Sequence, residues 1–206
     1  MHREFILIDK SPKLDKIVEI YKKIVNNNFD CLSIPSSLLE AIKTFDNKYI
    51  AAQIDYPFGL ACTKAKIKEA QYCSSFGVSY IDVVANHYLI ENLLETKFCT
   101  EIESIQKSLK GGELRLIIDY RLFDSLRLNF FGNLCAKNSI NTVILGTGTM
   151  LEDPIDNLIV AKMLENKYGL HTISTGVIRT EEDFEKFKEQ KLFGIRISSV
   201  SKIDIL

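Results

Sequence analysis

No sign of charge dominates this chain: 26 Lys and Arg stand against 27 Asp and Glu over 206 residues, for a net charge of −1. That balance supplies no electrostatic drive toward nucleic acid or an anionic membrane. No basic stripe carries the interleaved aromatics that track a nucleic-acid strand. Long apolar runs are missing too. None approaches the ~18 residues of a membrane span, and the run from Phe5 to Ile8 meets Asp9 too early for a signal peptide. The five cysteines (Cys31, Cys62, Cys73, Cys99 and Cys135) lack metal-binding spacing and are odd in number. They fit reduced thiols of a cytoplasmic protein, buried as small hydrophobes. Walker and Gly-x-Gly-x-x-Gly motifs are absent, since Gly146-x-Gly148 lacks a third glycine. His87 follows one strand-like run and His171 begins another, so the two fall at opposite ends of a parallel sheet and no metal site is expected.

What is present is alternation. With 46% hydrophobic and 26% charged residues, the composition is that of a globular domain, and one domain over residues 1–206 is expected. Short β-branched runs at 5–9, 31–34, 49–55, 78–85, 113–119, 142–145, 170–174 and 193–198 read as strands. Between them lie helix-like stretches at 14–28, 37–45, 63–76, 87–110, 123–137, 156–168 and 180–190, the last with a capping-box pattern at Thr180 and Asp183. Eight such units predict a compact α/β fold, a (β/α)₈ TIM barrel whose last helix is reduced to residues 200–206. An open doubly wound sheet is the alternative. Four runs end in Ile-Asp, at Asp9, Asp55, Asp82 and Asp119. In a barrel the C-terminal strand ends share one mouth, so these carboxylates are expected to ring it.

Several motifs resemble the deoxyribose-phosphate aldolase family. They are Tyr56-Pro57-Phe58-Gly59, Lys66 followed by Glu69-Ala70, then Gly77, Ile81-Asp82-Val83-Val84-Ala85-Asn86, the run Leu114 to Asp119, Thr147-Gly148, and Gly176-Val177-Ile178-Arg179-Thr180. Their order and spacing carry the resemblance from about Phe5 to Ser201. It implies an eight-stranded α/β barrel and reversible aldol cleavage of deoxyribose 5-phosphate to glyceraldehyde 3-phosphate and acetaldehyde. A lysine amine forms the Schiff base, a second lysine depresses its pKa, an aspartate relays protons, and no cofactor is needed.

Carried over position by position, the relay aspartate matches Asp82 and the fifth-strand cation is Arg115. The Schiff-base lysine falls on Ile144 and the second lysine on Ile173, and neither strand holds any lysine. Isoleucine cannot form an imine, and arginine stays protonated. Lys64 and Lys66 lie near the mouth, but Lys66 is expected to be a solvated helix lysine. Asp82 is expected to pair with Arg115 structurally, ahead of acid/base work, with Asp55 and Asp119 as further candidate catalytic carboxylates. The candidate phosphate site takes Thr147, Gly148, Gly176 and Val177 from the loops, and Ser198, Ser199 and Ser201 from the last strand's end. The expected protein is therefore an aldolase-like barrel without its Schiff-base machinery. A phosphorylated small-molecule ligand, an assembly role or a homo-oligomer is left open to it, with no nucleic-acid or membrane partner. The alternative is an active carbon–carbon lyase using a relocated lysine or carboxylate chemistry.

Overall fold

A computed structural model describes residues 1–205. Eight strands, β1 (His2–Ile6), β2 (Cys31–Pro35), β3 (Ile50–Ile54), β4 (Tyr80–Val84), β5 (Glu113–Ile118), β6 (Thr142–Leu145), β7 (His171–Thr175) and β8 (Gly194–Ile197), close into a parallel barrel in chain order. β1 pairs with β8 to complete it, which excludes the open sheet. Seven α-helices follow the strands: α1 (Leu14–Asn26), α2 (Thr63–Ser74), α3 (His87–Glu91), α4 (Glu95–Ser108), α5 (Ser125–Lys137), α6 (Pro154–Tyr168) and α7 (Glu181–Glu189).

Local chemistry sets most of these boundaries. Asp153 accepts from the backbone N–H groups of Ile155 and Asp156, Pro154 occupies the first turn, and Gly169 closes α6 at φ 68°. At α7 the capping box forms as the sequence suggests, with Thr180 and Asp183 each accepting from the other's backbone. α1 buries Ile17, Ile20 and Ile24 on one stripe, at the spacing seen in the sequence.

Three elements differ from the sequence reading, and the reduced last helix it expects is present as a 3₁₀ segment. The first strand lies three residues earlier than expected, over His2–Ile6, so Glu4 is a strand residue and Asp9 lies beyond the strand end. Residues 37–45 do not form an α-helix. They form 3₁₀ turns at Ser36–Leu38 and Glu40–Ile42, in which the buried Leu39 and Ile42 recur three residues apart and so share one face. The long helix over 87–110 is two helices, because Leu93 adopts φ 53° and turns the chain between α3 and α4. The last helix is a short 3₁₀ segment at Val200–Ile205, and Leu206 lies outside the described residues.

Candidate functional site

Inward-facing residues alternate along each strand, so the barrel interior is built in layers. The lower layer is charged. Arg115 Nε donates to Asp82 Oδ1 at 2.7 Å and Arg115 Nη1 to Glu4 Oε1 at 2.5 Å. Arg196 Nε donates to Glu4 Oε2 at 2.8 Å and Arg196 Nη2 to Asp82 Oδ2 at 2.7 Å. Ser33 Oγ adds a bond to Asp82 at 3.0 Å. Glu4, Asp82, Arg115 and Arg196 are all essentially inaccessible to solvent. Two carboxylates thus meet two guanidiniums with no net charge, the condition under which buried ions are tolerated. Burial pushes the Glu4 carboxyl up, but Arg115 and Arg196 outweigh it and hold the group well below the usual carboxylate range. The expected Asp82–Arg115 pair is present. Glu4 and Arg196 complete it and were not singled out from the sequence, since the misplaced first strand hid Glu4's inward position.

Directly above lies an apolar layer. Val84 on β4 is in register with Ile117 on β5, Ile117 with Ile144 on β6, and Ile144 with Ile173 on β7. All four side chains are fully buried and form a cluster of their own, on which Tyr56 and Phe193 pack. Tyr56 is anchored by its hydroxyl, which donates to the Thr147 carbonyl at 2.6 Å. Burial pushes the Tyr56 phenol up to about 12. The two positions that the resemblance assigns to lysine are therefore neighbours in the sheet, packed hydrocarbon to hydrocarbon.

Three of the four Ile-Asp doublets lie at or just beyond the C-terminal end of a strand, as expected, but the carboxylates do not converge on one pocket. Asp82 sits at the middle of β4, in the charged layer. Asp9 is exposed and pairs with Lys16 at 3.5 Å. Asp119, at the end of β5, accepts from the Thr147 backbone N–H at 2.7 Å and from its hydroxyl at 3.2 Å. Asp55 lies at φ 54°, in the left-handed region that aspartate tolerates better than most residues. Its carboxylate accepts from Ala61 N–H at 2.9 Å and stands 3.4 Å from Lys66 Nζ. Among the described residues no hydrogen bond or ion pair joins Asp55, Asp82 and Asp119 to one another.

Lys66 is not a solvated helix lysine. It is fully buried, and its ammonium donates to Glu101 Oε1 at 3.0 Å, to the Gly59 carbonyl at 3.0 Å and to the Val84 carbonyl at 3.2 Å. The signal was in the sequence: Lys66, Ala70 and Cys73 share one helix stripe, and all three are buried. Lys64, by contrast, is exposed.

The candidate phosphate residues divide. Ser198, Ser199 and Ser201 line one hollow of about 390 Å³ with Asp9, Lys16 and Val200. Thr147, Gly148, Gly176 and Val177 are not among its lining residues. The Gly176 N–H donates to the Arg196 carbonyl at 3.0 Å, and that of Thr147 to Asp119, so neither is free for an anion. Val177 turns its side chain into the main core. Gly148, at φ 83°, faces Thr175 and Ile8 near the mouth. The hollow's ammonium, Lys16, is already matched by Asp9.

One group was missed altogether. Glu152, between β6 and α6, is 3% exposed, and burial raises its carboxyl to about 7. One of its oxygens has no protein partner among the described residues. A Cβ at Gly146 would come within 2.5 Å of the other, so this carboxyl lies where a larger residue at 146 would collide with it. Nothing in the local sequence marks it, because its burial arises from packing between two loops.

No protein-family profile matches the chain. It is 29% identical over 203 residues to the deoxyribose-phosphate aldolase of Mycoplasmopsis pulmonis (strain UAB CTIP), covering 96% of this chain and 89% of that one. Its barrel superposes on the tetrameric deoxyribose phosphate aldolase from Aeropyrum pernix with a TM-score of 0.85 at 20% identity, covering 98% and 87% of the two chains. An aldolase designated QR15 gives a TM-score of 0.84 at 16% identity, over 97% and 90%. No helix among the described residues is long and apolar enough to cross a membrane. In sequence this chain is similar to a deoxyribose-phosphate aldolase, and its barrel has the same fold as aldolases of solved structure.

Proposed function

We propose that this barrel is a non-catalytic relative of the aldolases, unable to form the Schiff base, and that it acts through binding or assembly in a reducing cytoplasm. The observation that carries this reading is the apolar row Val84, Ile117, Ile144 and Ile173 under Tyr56. Imine chemistry needs an unprotonated amine at the reacting carbon. Here the space where that amine would stand is filled with branched hydrocarbon, and the charged layer beneath is internally neutralised. Five free cysteines are consistent with the reducing compartment. The serine-lined hollow is what remains for a phosphorylated sugar, with a charge balance suited only to weak binding.

The competing reading is an active carbon–carbon lyase with a relocated amine or a carboxylate acid/base. Lys66 is the buried lysine nearest the mouth, but all three of its N–H protons have acceptors, which opposes a nucleophilic role. Glu152 is the carboxyl best placed in pKa for proton transfer near neutrality.

Borohydride reduction with deoxyribose 5-phosphate or acetaldehyde, followed by intact mass, tests the proposal. The expected spectrum is that of the unmodified chain, and a reduced adduct on any lysine refutes it. Turnover of deoxyribose 5-phosphate without an adduct also refutes it, in favour of carboxylate chemistry, and Glu152→Gln is then the variant to assay.

A further inference from the structure

The segment that joins β6 to α6 is folded with its polarity reversed. Thr149, Met150, Leu151 and Asp153 are exposed, Leu151 by 80%, while Glu152 among them is 3% exposed. A surface loop ordinarily buries the leucine and hydrates the carboxylate. Here the carboxyl turns inward against the backbone of Gly146, where a Cβ would collide with Oε1, and its stem lies beside Gly176, just after β7. Its Oε2 has no hydrogen-bond partner among the described residues.

The groups around that carboxyl do not suit an anion. Burial opposes its charge most, the Tyr120 phenol favours it through a hydrogen bond, Asp119 repels it and Arg121 attracts it. Arg121 is exposed, and its Nη1 is held by the Leu151 carbonyl. Arg179, after β7, donates to the Glu152 backbone carbonyl at 2.7 Å, and Asp153 caps α6. The balance leaves the carboxyl at about 7. With its proton, Glu152 is a neutral buried acid. Without it, an anion with an unpartnered oxygen is left inside, and turning the side chain out to water relieves that cost.

The same segment is tied to the barrel mouth. The Thr147 N–H donates to Asp119 at 2.7 Å, and its carbonyl accepts from the Tyr56 hydroxyl at 2.6 Å. Tyr56 in turn packs on the row of Val84, Ile117, Ile144 and Ile173. Gly146 at φ 93° and Gly148 at φ 83° supply a hinge at one end, and Pro154 opens α6 at the other. We infer that residues 147–153 form a lid on the barrel mouth, closed while Glu152 keeps its proton and released when that proton passes to water. Release frees Tyr56 from Thr147 and loosens the cover of the apolar row. It does not depend on whether the barrel performs chemistry.

Amide hydrogen exchange on the full chain between pH 5 and 8, corrected for the intrinsic exchange rate, tests this. The carboxyl stands near its ordinary 4.5 with the lid open and at about 7 with it closed. Closure is therefore fully favoured below about 4.5 and is lost as pH rises through 7. Opening grows ~10-fold per pH unit up to about 7 and then levels, a total of about 70-fold from pH 5 to 8. Protection of the amides at 147–153 is expected to fall by that factor, while remaining at least ~10-fold below that of α4 at pH 8. Glu152→Gln, which keeps the side chain's shape but cannot ionise, is expected to hold lid protection constant over the range, with circular dichroism verifying its fold. Wild-type lid protection that does not change with pH overturns the inference. So does a variant that keeps the pH dependence. Lid amides as protected as those of α4 overturn it too, because Glu152 would then act on global unfolding alone.

Discussion

At the scale of single residues, the interior of this barrel is decided by what partners each charge finds. Arg196 sits at 0% exposure and bonds to both Glu4 and Asp82. Replacing it with methionine keeps much of the volume but leaves two buried carboxylates facing Arg115 alone. Breaking a buried ion network from one side costs about 3–5 kcal/mol. Arg196→Met is therefore expected to lower the urea midpoint by that equivalent at pH 7, and a loss below ~1 kcal/mol, the scale of an exposed ion pair, would show that the network is not as dry as its geometry. Ile144 and Ile173 show the opposite limit, packed in an apolar row with Val84 and Ile117.

At the scale of elements, the break between α3 and α4 is built on a residue poorly suited to it. Leu93 holds φ 53° with a Cβ that crowds the carbonyl in that region, a strain of ~1–2 kcal/mol. Its side chain is 41% exposed and has limited packing to lose. Leu93→Gly is expected to raise the melting temperature by a few degrees, equivalent to ~0.5–1 kcal/mol. A lower melting temperature would mean that the contacts of Leu93 matter more than its backbone. The same break lets α4 present Glu101 to Lys66 of α2. An unbroken helix over 87–110 would carry that carboxylate elsewhere.

For the whole molecule, stability follows pH through two carboxyls shifted in opposite directions. The Glu4 pKa is depressed in the folded state, so its contribution is complete above the unfolded value near 4.5 and disappears as pH falls through the folded one. Glu152 is raised to about 7, so its favourable contribution is present below about 4.5 and is lost as pH climbs through 7. Glu152→Gln should therefore match the wild type near pH 4 and exceed it near pH 8, by up to ~3 kcal/mol for a shift of that size. Thermal unfolding of both proteins from pH 4 to 8 measures this, and parallel curves would place the Glu152 carboxyl in contact with solvent.

Much of this was legible along the chain, because periodicity is a local property. Strand and helix alternation, the capping box at Thr180, the stop at Gly169 and the isoleucines at 144 and 173 all follow from residue order. So did the Asp82–Arg115 pair, since alternation points both side chains inward on adjacent strands. Register was not legible. A three-residue displacement of the first strand brought Glu4 into the charged layer, and only barrel closure placed Arg196 beside it, 192 positions away in sequence. The register of β4 to β7 likewise set Val84, Ile117, Ile144 and Ile173 in one row, against which Tyr56 packs. Burial of Lys66 and Glu152, and the exposure of Leu151 and Ile155, depend on which loops and helices pack together. Order along the chain determined the elements and put isoleucine at 144 and 173. The packing of distant elements decided which charges are neutralised, which carboxyl burial lifts towards neutrality and which side chains are left exposed.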